Sequence, residues 1–480
     1  MPRKKGVKNL GQTQNITFSW VTQINPELEQ WRALAEDFTK TKIRQKSNVL
    51  QTLGKFLNIY INQENMSTIP AEFLKSDYPA KSFYTTCLGD AAQPKVELKH
   101  AHDFIDWVLE NYFSVEDDNG NRIVPPEYCN PIPLDLPDGV VLRDKLDESN
   151  KNTLPYRYIK QLRTILCPKN ANHFKDWKWA HEALEGSGDW LIVDPSIIKN
   201  DDPDCVWRKR EISKHDQKLK ELPEIVYELW SPVRAVVIYT KLLVPLRTYQ
   251  VRMLDSSEAD TFRYEQPKRQ EVGQWNLNHG FLREGSEKYP VRRGVFRQFF
   301  DSETKIPLTG FYINTNKTAD INKDERSKGY EIPWQYEEAL YWMAKLRNWQ
   351  EKYNPIEKPT AWTELEKQHL GHAKDISILK QMGATCFLFR NAAEEDKDKP
   401  IQNRRLDVLW ARLLLRLEKQ CETVASNENK LKFVKDKYTT FYPLHSLRVS
   451  LITAYALEGG VPMPILSKCI VGHARLVMTL

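Results

Sequence analysis

The sequence predicts a mainly α-helical protein with a small antiparallel β-sheet, an α+β fold. Three observations support this class. Apolar residues recur at three- and four-residue spacing through the first 120 residues, which is typical of amphipathic helices. Short runs rich in β-branched and aromatic residues, joined by polar turns, lie between residues 294 and 334 and indicate strands. Helical periodicity then returns and continues towards the end of the chain.

The first helices are predicted from two apolar stripes. In TKIRQKSNVLQTLGKFLNIYI, the stripe includes Leu50, Leu53 and Leu57, and a second stripe runs through HDFIDWVLENYF. These paired helices predict a helical domain over residues 16–120. The polar, proline-rich sequence from VEDDNGN to PPEYCNPIPLDLPDG indicates a linker. Residues 121–222 are therefore interpreted as a linker and an irregular middle region, with one short helix in YRYIKQLRTIL.

The elements of the second half are easier to assign. SPVRAVVIYTKLL is predicted to be a helix with Ser231 as N-cap and Pro232 at its first position. Pro245 ends this helix, and a new helix can begin at Leu246. GVFRQFF, GFYINT and YEIPW are the expected strands. The apolar face of RRLDVLWARLLLRLEK predicts a long helix, and a Gly-Gly pair separates two further helices near the end.

Composition excludes several classes of protein. At roughly 150 residues per domain, 480 residues predict two to four domains. No apolar run approaches the roughly 18 residues of a membrane span, which excludes an integral membrane protein. Seven dispersed cysteines without a CxxC pair argue against a disulfide framework and a zinc site. The basic segment 1–15 is expected to be a disordered tail, and it lacks the apolar stretch of a signal peptide. We therefore expect a cytoplasmic, nucleoid-associated protein.

Charge permits a nucleic-acid partner without requiring one. Lys and Arg number 70 and Asp and Glu number 64, which leaves a net charge of +6. Binding to nucleic acid depends on how such charges cluster.

The sharpest motif lies near the end, in LHSLRVSLITAYALEGGVPMPILSKCIVGHARLVMTL. His445 and Arg448 are three positions apart, so on a helix they project from the same side. Both side chains can donate hydrogen bonds to the non-bridging oxygens of a phosphodiester. Gly472 and His473 add a second imidazole. An isolated HxxR pair is typical of ordinary structure, but the full string HxLRxSxIT…GG…I…VGH…MT is much more specific.

This string resembles the tyrosine recombinase, or phage integrase, family. The family's His-x-x-Arg pair matches His445 and Arg448, and its histidine after glycine matches His473. Thr453 and Thr479 match supporting positions of the motif. The family's first arginine matches Arg247, in LLVPLRTYQVRMLDSSEAD.

The family's lysine lies in a β-hairpin between its two arginine segments. GFYINTNKTADINKDERSKGYEIPW resembles that hairpin, and Lys317 is the match. Lys323 and Lys328 are rivals, although a turn lysine is more often a solvated charge.

The sequence departs from the family in three ways. Gln250 stands where the family has an acidic residue. The wide separation of Lys317 from His445 predicts an insertion near residues 350–400. The nucleophilic tyrosine should follow the glycine–histidine pair by about nine residues, just past Leu480, so we interpret the sequence as truncated before it.

The resemblance implies a helical core-binding domain followed by a catalytic domain at 223–480. It implies site-specific DNA recombination or integration through a 3′-phosphotyrosyl intermediate, without a metal or cofactor. The implied partners are double-stranded DNA, other copies of the chain in a tetramer on DNA, and accessory proteins. Lys42, Arg44 and Lys46 either contact DNA phosphates or form a solvated helix start. The string PLRTYQVRMLDS further resembles integrases of bacterial mobile genetic islands.

Two alternatives remain open at this point. One is a non-catalytic DNA-binding protein built on the same fold, in which the tyrosine is genuinely missing. The other is a type IB topoisomerase, which uses a similar set of arginine, lysine and histidine residues. As written, the polypeptide is expected to bind DNA without cleaving it.

Overall fold

The computed structural model describes residues 16–42, 46–89, 91, 94–116, 122–134, 152–184, 188–215, 217, 221–300, 303, 306–315, 329–371, 374, 376–392, 396–422, 432–436 and 439–471. The basic tail expected at 1–15 lies outside these residues, as do residues 117–121 and 135–139 of the proline-rich linker. The chain divides into two compact units, Met1–Leu146 and Asp147–Leu480. The prediction of a mainly helical fold with small antiparallel sheets is confirmed.

The first unit is helical. Its helices are α1 (Ser19–Ile24), α2 (Glu29–Thr41), α3 (Lys46–Lys55), α4 (Pro70–Phe73) and α5 (Pro94–Tyr112). Helix α3 continues as a π-helical segment, Phe56–Gln63, and a π-helical turn spans Tyr84–Leu88. Strands β1 (Val115–Glu116) and β2 (Arg122–Ile123) pair antiparallel.

Aromatic rings from several helices fill the core of this unit. Trp31 of α2 meets Phe56 edge-to-face at 5.3 Å between ring centroids, and Phe56 meets Phe104 of α5 at 5.5 Å. Leu53 and Leu57 from the predicted apolar stripe are also fully buried. Burial of this stripe explains why the periodicity identified the helix.

The second unit combines helices with several small sheets. Its helices are α6 (Tyr156–Leu166), α7 (Lys178–Ala183), α8 (Val233–Leu243), α9 (Thr248–Arg252), α10 (Glu337–Tyr353), α11 (Lys367–Leu370), α12 (Ile376–Gln381), α13 (Asn403–Glu422), α14 (Ser446–Leu457) and α15 (Met463–Ile465). Helix α15 continues as a π-helical segment, Leu466–Val471. None of the helices in the described ranges is long and apolar enough to cross a membrane.

The strands of the second unit all pair antiparallel. They are β3 (Trp190–Val193), β4 (Trp207–Glu211), β5 (Ile225–Trp230), β6 (Phe262–Glu265), β7 (Gln274–Leu277), β8 (Phe296–Phe300), β9 (Pro307–Ile313), β10 (Tyr330–Ile332), β11 (Thr360–Ala361) and β12 (Ala384–Thr385). Two sheets have three strands, in the orders β3-β5-β4 and β10-β9-β8. The other strands form the pairs β6-β7 and β11-β12. The β8, β9 and β10 strands correspond to the three strand-like runs of the sequence.

Helix boundaries near Pro245 differ slightly from the expectation. Pro232, not Ser231, is the N-cap of α8, and the next helix begins at Thr248 instead of Leu246. Pro232 precedes the first helical residue, Val233, so the helix begins one residue later than predicted. The segment between the helices is consequently an extended turn that ends in Arg247.

The boundary expected between residues 222 and 223 falls inside the second unit. The described residues from 152 to 222 form α6, α7, β3 and β4 and contribute to the main core. Trp177 lies 4.8 Å from Trp342 and 5.4 Å from Tyr239, measured between ring centroids. Because these short elements are held by partners distant in the sequence, they have little periodicity of their own, and sequence reasoning took them for irregular structure.

The segment expected as an insertion, near 350–400, has a small core of its own. Trp362, Leu370 and Phe387 are buried there together with Met253, which directly follows α9. Arg252, at the end of α9, donates hydrogen bonds to the carbonyl oxygens of Ile401 and His369. This segment therefore packs against and supports the short helix that follows Arg247.

Candidate active site

Arg247 occupies the N-cap position of α9, at the end of the extended turn that follows α8. The side chain of Gln250, three residues later in the chain, binds the backbone of Arg247. Its Oε1 accepts a hydrogen bond from the Arg247 backbone N–H at 3.0 Å, and its Nε2 donates to the carbonyl of Thr315 at 2.9 Å. Gln250 is only 1% exposed. The amide of Gln250 thus connects the Arg247 turn to the chain that leaves β9.

Arg448 reaches the same turn from α14. It is 4% exposed, and its Nη1 donates to the carbonyl of Pro245 at 2.5 Å across 203 positions of sequence. Its Nη2 donates to the carbonyl of Val471 at 3.1 Å. One guanidinium therefore joins the turn before Arg247 to the last described residue before the Gly472–His473 pair.

The two guanidinium groups are close enough to repel one another. Burial, together with the smaller effect of the Arg247 charge, lowers the pKa of Arg448 to about 10. Burial also lowers the pKa of Arg247. Within the described residues, the Nη1 of Arg247 is buried without a hydrogen-bond partner. A buried and a partly buried guanidinium in this arrangement favour an anionic ligand.

Tyr330 of β10 completes this side of the site. Its hydroxyl is buried beside Arg448 and Gln250. Burial raises the pKa of Tyr330, and the two arginine charges act in the opposite direction. The register of the sheet, in which Tyr330 faces Ile313 of β9, brings this side chain to the arginine pair.

A buried lysine lies close to Arg448. Lys241 of α8 is 1% exposed, and its Nζ donates to the carbonyl of Leu246 at 2.9 Å. Burial, together with the smaller effect of the Arg448 charge, lowers the pKa of Lys241 to about 7. Two cations, Lys241 and Arg448, therefore hold two consecutive carbonyls of the turn that ends in Arg247.

His445 is placed differently from Arg448. It is the exposed N-cap residue of α14, whereas Arg448 points into the protein. Its carbonyl accepts a hydrogen bond from the Arg448 backbone N–H at 3.2 Å. His445 and Arg448 were expected to project from the same side of the helix. In the structure, the imidazole is exposed and the guanidinium is buried.

Lys317 and His473 lie outside the described residues, as do the rivals Lys323 and Lys328 and the supporting Thr479. Two described residues at the site lie close in sequence to these candidates: Thr315 is two residues before Lys317, and Val471 is two residues before His473. Thr315 binds Gln250, and Val471 binds Arg448.

The hydroxyl of Tyr455, in α14, is engaged in hydrogen bonding. It donates to the carbonyl of Leu243 at 2.9 Å and lies 3.4 Å from the Tyr336 hydroxyl. Burial raises its pKa.

The first unit contains the other candidate DNA contacts. Lys42 is the C-cap residue of α2, and its Nζ lies 4.2 Å from the centroid of the Phe38 ring. Arg44 lies outside the described residues. Lys46 begins α3, and only its backbone is described.

Sequence reasoning missed Lys241 and Tyr330. The signal for Lys241 was present, because it is the one lysine in the apolar run AVVIYTKLLV, where a charge is costly unless it has a function. Tyr330 had no such signal, since an aromatic residue in a strand is common.

The arrangement suits recognition of a phosphate group. Arginine offers several donors in a fixed geometry that matches phosphate oxygens, and the low dielectric of the site strengthens each interaction. Among the described residues, no group of three or more His, Cys, Asp or Glu side chains could hold a metal ion.

Comparison with known proteins gives one match. The family model Integrase_2, described as "Putative integrase", matches residues 26–363. The matched range includes the turn at Arg247 and the hairpin strands but ends before His445. No curated protein and no solved structure matches the chain.

Proposed function

Because the chain belongs to the Integrase_2 family, we propose that it is a tyrosine-type site-specific recombinase. The family itself indicates DNA integration or recombination in general, with DNA as the partner. The finer assignment is that the enzyme cleaves and rejoins duplex DNA through a 3′-phosphotyrosyl intermediate, as a tetramer on its DNA.

One observation carries the proposal. Arg448 donates a hydrogen bond to the carbonyl of Pro245, two residues before Arg247, across 203 positions of sequence. The two arginines matched to the family's motif are thus neighbours in a single buried, positively charged site. This supports a phosphodiester as ligand.

The proposed cleavage step divides the work among the site residues. The tyrosine oxygen attacks phosphorus, and the bond between phosphorus and the 5′ oxygen breaks. Arg247 and Arg448 bind the non-bridging oxygens and stabilise the charge that increases in the transition state. Lys317 gives its proton to the departing 5′ oxygen as a general acid. The phosphotyrosyl bond conserves the energy needed for rejoining, so no other energy source is required.

The two histidines have supporting roles in this proposal. His445, exposed at the start of α14, assists proton transfer at the nucleophile. His473 donates a hydrogen bond to the phosphate. The nucleophile itself, by the family's spacing, would be a tyrosine encoded shortly after Leu480.

A suicide substrate, a duplex with a nick that traps the covalent intermediate, tests the proposal. We expect no protein–DNA adduct from the 480-residue chain and a denaturant-resistant adduct from a chain extended through its natural downstream codons. In the extended form, Arg448→Met should slow adduct formation by on the order of 10²–10³-fold, because a preorganised donor to the transition state is lost.

Arg347→Met is the matched control. Arg347 is also a fully buried arginine; burial lowers its pKa to about 10, and it donates to a backbone carbonyl, that of Tyr264. The Arg347→Met substitution should therefore reduce the stability of the protein without a comparable loss of DNA cleavage. An extended chain that binds DNA but forms no adduct would favour the non-catalytic alternative. An adduct from the 480-residue chain would mean that a tyrosine within it, with Tyr330 beside the arginines as the first candidate, is the nucleophile.

A further inference from the structure

Lys241 lies in an environment that is unusual for a lysine. It is part of a helix, α8, that is buried along its whole length. Its Nζ donates a hydrogen bond to a neutral carbonyl, that of Leu246, and no carboxylate of the described residues lies within ion-pairing distance of this Nζ. A buried ammonium without an opposite charge is destabilised relative to the neutral amine.

Charged groups face α8 from each of the helices packed against it. Arg448 approaches from α14, Arg247 from the start of α9, and Arg163 of α6 donates to the carbonyl of Leu242. Glu338 of α10 accepts a hydrogen bond from Tyr239, and it is paired there with Arg269.

At the other end of α8, Asp189 pairs with Arg234 and also interacts with Arg405 of α13. Of all these groups, Arg448 is the one whose field acts on Lys241. The charge that Lys241 experiences is therefore positive.

We propose that Lys241 is a positioning residue whose protonation is coupled to occupancy of the site: binding of a phosphodiester to Arg247 and Arg448 draws a proton from solvent onto Lys241. This inference rests on the proposed function. The charged ammonium then strengthens its bond to the Leu246 carbonyl and holds the turn that carries Arg247.

The physical reason is electrostatic linkage. In the free protein, burial and Arg448 hold the pKa of Lys241 near 7, so that a large part of the population is neutral above neutral pH. A bound phosphate adds a negative charge next to Arg448, offsets its field and favours the protonated lysine. By linkage, a ligand that raises the pKa of a group binds less tightly as pH rises above the pKa of the free protein.

The test is the affinity for a labelled duplex oligonucleotide between pH 7 and 9 at constant ionic strength. The wild-type affinity should fall with pH, by at most about tenfold per pH unit, which is the limit for one linked proton. Lys241→Arg should keep the affinity that the wild type has at pH 7 and lose the pH dependence, because an arginine stays charged in this range. Lys241→Met should also lose the pH dependence but bind at the weaker level that the wild type reaches at pH 9.

Lys345→Met is the matched control. Lys345 is another mostly buried lysine, but its Nζ is paired with Asp204 at 2.7 Å, so its removal should leave the pH dependence of binding unchanged. Thermal unfolding of each variant checks that it is folded. If Lys241→Met does not unfold cooperatively, the profile of Lys241→Arg decides the question.

Two results would overturn the inference: a wild-type affinity that does not change between pH 7 and 9, or a Lys241→Arg variant that keeps the wild-type dependence. Arg448→Met separates this failure from a failure of the proposed function. If Arg448→Met weakens DNA binding but Lys241→Arg keeps the wild-type pH dependence, only this inference is wrong. If Arg448→Met leaves the affinity unchanged, DNA does not use the arginine site and the proposed function is wrong as well.

Discussion

Gln250→Leu separates the stability of the fold from the geometry of the arginine site. Leucine has a similar size to glutamine, but it removes both hydrogen bonds that connect the Arg247 N–H to the Thr315 carbonyl. Each backbone group left without a partner in this buried position costs about 1–3 kcal/mol. Part of this loss is offset by burial of the apolar leucine side chain. We therefore expect the free energy of unfolding to fall by about 2–4 kcal/mol.

The effect on catalysis should be larger than the loss of stability suggests. Gln250 sets the first turn of α9 and thereby the direction of Arg247. Misplacement of a catalytic group by roughly 1 Å can cost about 10²-fold in rate. Adduct formation by the extended chain should consequently slow by about that factor under conditions in which the variant is fully folded.

Gln350→Leu is the matched control for this change. Gln350 is fully buried in α10, and its Nε2 donates to the carbonyls of Leu388 at 3.2 Å and Arg390 at 2.8 Å. Its loss should lower stability by a similar amount, measured by urea unfolding with tryptophan fluorescence, and leave cleavage nearly unchanged. Equal slowing of cleavage by both variants, or a destabilisation by Gln250→Leu below about 1 kcal/mol, would refute the reasoning.

Two further predictions concern DNA binding and acid stability. Lys42→Ala should weaken DNA binding on all sequences alike and reduce the slope of log affinity against log salt by about 1. Lys99→Ala, whose lysine is already paired with Asp103, should leave the slope unchanged, and an equal slope in both variants would remove Lys42 from the DNA interface. Burial lowers the pKa of His181 from 6.5 to about 4. As the pH falls, the unfolded state therefore takes up a proton before the folded state does. The free energy of unfolding should consequently decrease between pH 6.5 and 4, by up to about 3 kcal/mol. His181→Gln should lack this component in urea unfolding measured across that range, and an identical pH dependence in both proteins would assign the acid sensitivity to other groups.

Local sequence patterns were sufficient for most of the helices and for the central strands. The apolar stripe through Leu53 and Leu57 and the strand runs before and after β9 depend on contacts that repeat every few residues, so their periodicity is visible in the chain itself. The arginine and histidine candidates were also identified from short motifs. The structure then showed that Arg247 and Arg448 lie close together, which no local sequence pattern could predict.

Tertiary structure alone decided how the site is held together. Arg448 bonds to the Pro245 carbonyl across 203 positions, and Gln250 bonds to Thr315 across 65 positions. Lys241 experiences the charge of Arg448 only because α14 packs against α8. The residues between 152 and 222 likewise became part of the main core through aromatic partners far along the chain. Periodicity records which side of an element is apolar, whereas the partner of a buried polar group and the resulting shift of its pKa depend on which distant element packs against it.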